Sequence, residues 1–176
     1  LETYKVPILT PSGEVQGLIG LCHDVTEQKH QEQALRTIFE RTAAKTGDDF
    51  CNSLVHYLAE VLQVRTVIIS HYLNTERSCT LSVLANGEWG QNCEYEVSGT
   101  PCEVLLKGQV VFHSQNVQAY YPNNQTLKNL GANSYQGIPL FDSGNHVIGC
   151  LMIMDDRPMA PSQSRDLILK VSATRA

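Results

Sequence analysis

The 176-residue sequence predicts an α+β fold built on an antiparallel sheet, and three observations support this class. Strand-like runs come in pairs joined by short turns, a connection open to antiparallel neighbours only. Helical stretches gather at the ends and in one insertion over residues 98–131, instead of alternating with single strands. The last two apolar runs flank Asp142-Ser143-Gly144-Asn145, a tight hairpin loop.

Taken in order, residues 3–9 (TYKVPIL) are β-rich and stop at Thr10-Pro11-Ser12-Gly13. There proline presets φ and glycine supplies a positive one. Residues 15–23 (VQGLIGLCH) resume as a second strand. A lone hairpin is marginal in water, so this one is expected to join a sheet outside the chain or to pack on something else. Asp24-Val25-Thr26-Glu27 changes the period: Asp24 or Thr26 can cap a helix, and Glu27 suits its first turn. Residues 27–46 lack Gly and Pro and predict one long helix. Leu35, Ile38 and Thr42 form a thin seam along it, with Gln28 and Gln31 continuing the stripe upstream, a pattern suited to a two-helix contact.

Gly47-Asp48-Asp49 recaps the chain, and residues 50–63 have helical spacing with a wide apolar face. Residues 67–73 and 79–84 read as paired strands around a turn at 74–77, Asn86-Gly87 as a turn, and 93–97 as a short extended piece. Thr100 and Pro101 predict the start of a helix over 101–107 that ends at Gly108. Residues 109–113 follow as a strand, 114–131 as an irregular to helical stretch, 134–141 and 146–154 as strands, and 162–174 as a final helix.

Composition narrows the function classes. Hydrophobic residues make up 42% and charged residues 18%, which excludes a disordered segment. A net charge of −5 argues against nucleic acid or an anionic membrane as partner. No apolar run is long enough to span a bilayer, and Leu1–Lys5 reads as mid-domain sequence, not a secretory leader. The six cysteines show no C-x-x-C pair, so no zinc site is predicted. Most lie in apolar stretches, such as Cys150 in VIGCLMIM, which points to reduced thiols and a cytoplasmic location.

Two family likenesses rest on particular residues. Residues 1–30 resemble the C-terminal end of a PAS domain: a strand, the turn Thr10–Glu14, the apolar strand Gly17–Cys22 and the closing Asp24-Val25-Thr26-Glu27-Gln28. Residues 37–176 resemble a GAF domain of the kind found downstream of PAS domains in bacterial, especially cyanobacterial, signalling proteins. The likeness is carried by Gly99-Thr100-Pro101-Cys102-Glu103, the segment Val117–Pro122, the stretch Gly131–Asp142 and the stretch Val147–Asp156. It implies a central antiparallel sheet flanked by helices, a ligand-sized cavity under the insertion at 98–131, and a regulatory role inside a larger sensor.

Each candidate for chemistry has a plainer reading beside it. Cys22-His23 resembles the bilin-attaching pair of some photoreceptor GAF domains, but it lies in the PAS-like strand; packing is the expected role, and neither bilin nor haem is expected. His30 lacks the Glu and Pro that follow a kinase phosphoacceptor, and no G-x-G-x-x-G occurs. Asp155-Asp156 would point to opposite faces of a strand and reads as strand termination. His71, His113 and His146 are isolated, and Ser53, Ser70 and Ser134 lack a nucleophile-elbow context. The signature of cyclic-nucleotide-binding GAF domains is missing. Tyr120, Tyr121 and Tyr135 flank the insertion; with Cys102 and His113 they are the candidate ligand-pocket residues.

The expected function is a non-catalytic sensory GAF module, with no catalytic residue and no metal in this chain. It would bind a small molecule or relay a conformational change through a homodimer formed by the 27–46 helix, with Leu35, Ile38 and Thr42 in the seam. The output domain would lie C-terminally in the same polypeptide, such as a histidine kinase, a diguanylate cyclase or a transcription activator. Two other classes stay open: a thiol enzyme of the methionine sulfoxide reductase type, using Cys93 and Cys102, and a chromophore-binding photosensor.

Overall fold

The computed structural model describes residues 1–26, 29, 32, 33, 36, 37, 40 and 46–175. Strands β1 (Glu2–Leu9) and β2 (Val15–His23) form the expected antiparallel hairpin, closed by Gly13 at φ +86° and by the Thr10 hydroxyl accepting from Glu14 N at 3.1 Å. They pair with no other described strand, and apart from Gly17 both are exposed along their length. Leu35, Ile38 and Thr42 lie outside the described residues, as does His30. No long linker helix is bounded among the described residues; Lys29, Glu32, Arg36 and Glu40 carry helical backbone, and Arg36 pairs with Glu40 at 2.8 Å.

The core of the molecule is a seven-stranded sheet in which every described pairing is antiparallel. Its strands are β3 (Thr66–Tyr72), β4 (Arg77–Ala85), β5 (Glu88–Trp89), β6 (Glu94–Glu96), β7 (Val111–His113), β8 (Ser134–Phe141) and β9 (Val147–Asp155). The order runs β5-β4-β3-β9-β8-β7, with β6 also pairing β4. Thus β3 and β9, far apart in sequence, are neighbours at the centre, and the insertion with the short helices between them folds over one face.

Helix α1 (Gly47–Leu62) opens with Asp48 and Asp49 in its first turn, where carboxylates suit the macrodipole, and ends at Gln63 in the left-handed region. It packs Phe50, Leu54, Val55 and Leu58 on one sheet face against Val67, Ile69, Leu151 and Ile153. Helix α5 (Gln163–Ala173) covers the same face, capped by Ser162 Oγ accepting from Arg165 N at 3.2 Å. It is pinned to β8 through Gln136, which accepts from Arg165 Nε at 2.6 Å and donates to Asp166 at 2.7 Å. The opposite face carries three short helices, α2 (Cys102–Leu106), α3 (Val117–Tyr120) and α4 (Gln125–Asn129). With both faces covered, β8 and β9 are buried along most of their length, and β9 reads as a nearly continuous apolar run. No helix among the described residues is long and apolar enough to cross a membrane.

Candidate functional site

Strand alternation sorts the central residues. On β3, Val67 and Ile69 face α1 while Ile68 and Tyr72 face the short helices; on β9, Leu151 and Ile153 face α1 while Cys150, Met152 and Met154 face away. Tyr135 of β8 joins the second set. Gly137 makes room there: a Cβ at that position would stand 2.7 Å from the Tyr135 hydroxyl and 2.8 Å from Leu105 of α2. Its bare backbone lets α2 settle onto the sheet and Tyr135 lie flat across β8.

Between this face, β6, the 98–101 turn and α4 lies a cavity of about 460 Å³. That volume is within the range of small-molecule sites. Its floor is Ile68, Tyr135, Met152 and Met154; Tyr95 and Thr80 form one wall, and residues of α4 close it. Asn124 caps α4 by accepting from Leu127 N at 3.1 Å. On the other side Thr100 is doubly engaged, donating to Val97 O at 2.7 Å and accepting from Cys102 N at 3.2 Å, so the turn into α2 is held as the expected cap. Glu96 is the one charged side chain on the described lining, which holds no Arg, Lys, His or Cys. The arrangement suits a compact ligand with an apolar body and uncharged or cationic polar groups.

Behind this wall lies a group of sulfurs and phenols. The Cys150 thiol donates towards Cys102 Sγ at 3.9 Å, the Cys102 thiol towards Met152 Sδ at 3.5 Å, and the Tyr95 hydroxyl is 3.5 Å from Cys102 Sγ. Tyr72 donates to the Cys102 carbonyl at 2.8 Å. The Cys150–Cys102 contact holds Cys102 below the ordinary thiol range and Cys150 above it. Burial pushes Tyr72, Tyr95 and Tyr135 up, so all three stay neutral donors. The buried Ser70 and Tyr135 hydroxyls have no hydrogen-bond partner among the described residues.

Of the side chains expected in the pocket, Tyr135 lines it and Cys102 is buried just behind it. His113, Tyr120 and Tyr121 are elsewhere, in an aromatic cluster of their own. The His113 ring lies 4.3 Å from Tyr120 and 5.7 Å from Tyr121, centroid to centroid. Tyr120 is 65% exposed, because α3 is a single turn whose inward residue is Val117. Burial lowers the His113 pKa. Sequence reasoning missed Tyr95, Met152 and Ile68; the alternation along β3 and β9 was the available signal, but which phase faces the insertion cannot be read from the strands alone. Cys93 is exposed, whereas Cys102 is buried beside Cys150.

Among the described residues no group of three His, Cys, Asp or Glu is placed to hold a metal ion. His71 is exposed, and His146 pairs with Asp142 at 3.3 Å. Asp155 and Asp156 do separate work at the end of β9. Asp155 accepts from Arg65 N at 3.1 Å and from Arg157 N and Nε at 2.9 Å each, while Asp156 pairs with the Arg65 guanidinium. Burial pushes the Asp155 carboxyl up, but these hydrogen bonds outweigh it and hold its pKa below the ordinary value.

An antiparallel sheet with a helical pair on one face and a cavity under short helices on the other defines a class of small α+β domains. The GAF domain family matches residues 46–175, and the chain belongs to that family. Among solved structures it is similar to the GAF domain of an Acinetobacter phosphoenolpyruvate-protein phosphotransferase, at 16% identity and a TM-score of 0.65 over 82% of this chain and 89% of that one. It is likewise similar to the A. aeolicus nlh2 GAF domain in an inactive state, at 12% identity and a TM-score of 0.64 over 85% and 92% of the two chains. A third is the phycocyanobilin-bound GAF domain of a cyanobacterial phytochrome, at 13% identity and a TM-score of 0.64 over 81% and 89%. These likenesses show the fold. Among curated proteins, none matches the sequence.

Proposed function

We propose that the chain is a sensory or regulatory GAF module that takes a small, neutral or cationic ligand in the cavity over β3, β8 and β9. One observation carries this reading: a space of about 460 Å³ with an apolar floor, an uncharged polar rim and Glu96 as its one charge. A tetrapyrrole finds neither a thiol nor a basic side chain on the described lining, which favours a smaller ligand than the neighbouring phytochrome domain holds. The covering helices α3 and α4 are one turn each and anchored mainly by Val117 and Leu127, so they can shift with occupancy at small cost.

In the same reading, residues 1–30 end a PAS domain, 27–46 form a signalling helix and 37–176 the GAF domain. The hairpin supports this: Val6, Leu18 and Leu21 are exposed on an unpaired sheet, as strands cut from a larger sheet would be. The 27–46 helices of two protomers would pair through Leu35, Ile38 and Thr42 and pass the signal to a C-terminal output domain, a histidine kinase or a diguanylate cyclase, in the cytoplasm. No turnover is required of these residues.

Native mass spectrometry of the purified chain, with a thermal-shift screen of neutral, cationic and anionic metabolites, tests the ligand. A bound small molecule, or neutral or cationic compounds that raise Tm while anionic ones do not, is the expected result. No adduct and no shift with any compound would make the cavity a packing feature. For the relay, light scattering should show a dimer that Leu35→Glu with Ile38→Glu converts to monomer; a chain monomeric from the start defeats it.

A further inference from the structure

We infer that Cys102, Cys150 and Met152 form a binding site for a soft monovalent metal ion, copper(I) in class, in the floor beside the cavity. Three sulfurs meet in one buried place: Cys102 Sγ stands 3.9 Å from Cys150 Sγ and 3.5 Å from Met152 Sδ. The three residues are 3%, 0% and 4% exposed. Cys150 and Met152 alternate on β9 and so share a face, onto which α2 brings Cys102. With metal–sulfur bonds of about 2.3 Å, trigonal sulfurs lie about 4.0 Å apart and tetrahedral ones about 3.8 Å. The Cys102–Cys150 and Cys102–Met152 separations are close enough to these that both pairs can close on an ion with shifts of about half an ångström or less.

Donor chemistry selects the ion. Thiolate with thioether is a soft set that favours copper(I). Zinc would need a fuller set of N, S or O ligands, and no third His, Cys, Asp or Glu stands by among the described residues. Met152 also lines the cavity, which provides the path of entry. Supporting groups are in place: Tyr95 lies 3.5 Å from Cys102 Sγ, Tyr72 fixes the Cys102 carbonyl, and Thr100 accepts from its N–H. Ser70 lies opposite Cys150 in the β3–β9 register, fully buried, and its hydroxyl has no hydrogen-bond partner within bonding geometry among the described residues. A cysteine thiolate at position 150 would give that orphan hydroxyl an acceptor. On binding, each thiol gives its proton to solvent, two protons per ion; copper stays copper(I), and no electron is transferred.

The site goes beyond the small-ligand reading and does not depend on it. The test uses the full chain with Cys22→Ser, Cys51→Ala, Cys79→Ser and Cys93→Ser, leaving the two core thiols. Anaerobic copper(I) titration against the chromophoric chelator bicinchoninate should show one ion per chain, a thiolate-to-copper ultraviolet band and release of two protons. Cys102→Ser and Cys150→Ser should abolish it. Met152→Leu keeps the volume and so the fold, and should weaken binding by about tenfold or more. A background chain that takes up no copper, or affinity unchanged by Cys150→Ser or Met152→Leu, overturns the site. So does a reduced chain that forms a Cys102–Cys150 disulfide in air yet never retains copper.

Discussion

The two faces of the central sheet are made from alternate residues of the same strands, yet they are built for different ends. Towards α1 and α5 the packing is mainly hydrocarbon against hydrocarbon, with the Gln136–Arg165–Asp166 contact beside it: Leu54, Leu58, Val67, Ile69, Leu151 and Ile153 meet with almost no exposed surface. Towards the short helices the residues in alternate register are Tyr72, Tyr135, Cys150 and Met152, with a cavity and unpartnered hydroxyls among them. A close-packed layer and a layer with a cavity are thus made by opposite faces of the same strands. A long helix with many anchors seals the first face. One-turn helices with few anchors leave the second free to adapt.

The comparison is most open to attack through truncations on either side. Leu54→Ala, on the fully buried α1 side, should cost about 3 kcal/mol in urea unfolding, the cost of a cavity in a tightly packed core. Leu127→Ala, at the edge of an existing cavity, should cost less, about 2 kcal/mol, because α4 can settle. Equal losses would erase the distinction between the faces.

Asp155, where both faces end, sharpens it. Asp155→Asn should cost about 2 kcal/mol at neutral pH through weakened charged hydrogen bonds. Because the folded carboxyl titrates below its unfolded value of about 3.9, its contribution is complete above that value. It is lost as pH falls through the folded pKa, so wild type and variant should converge in acid. A gap that persists at the acid end would show that the charge is not the cause.

Tyr135→Phe should be neutral to within about 0.5 kcal/mol, since the hydroxyl removed has no partner among the described residues. A loss well above that would mean a hidden acceptor on the cavity face. The smallest effect belongs to the hairpin, the case of a sheet with neither face covered. Leu18→Ser should change the stability of this chain by no more than about 0.5 kcal/mol. A larger loss would reveal a packed face.

Much of the architecture was legible. The hairpin over residues 3–23, the strand pair after α1, the β8–β9 hairpin and the Ser162-capped last helix follow from turn chemistry and apolar period, which act within a few residues. The site was less so. Tyr135 could be named because it lies beside the insertion. His113, Tyr120 and Tyr121 looked equivalent in sequence but cluster with one another, since where a short loop helix turns depends on what it lands on. The sulfur cluster was invisible, because Cys102 and Cys150 are far apart in the chain and a methionine at strand spacing looks like core.

By itself, then, the sequence determined the α+β class, the antiparallel hairpins, most of the element order apart from β5 and the chemical inventory of each strand, all set by local propensity and short connections. The tertiary structure alone decided which phase of β3 and β9 faces the short helices, and so that Ile68 and Met152 line a cavity, with Tyr95 brought to its wall by β6, while three sulfurs meet behind it. The reason is that a strand's alternation has two equivalent phases, and only the covering helices, placed by long-range packing, choose between them.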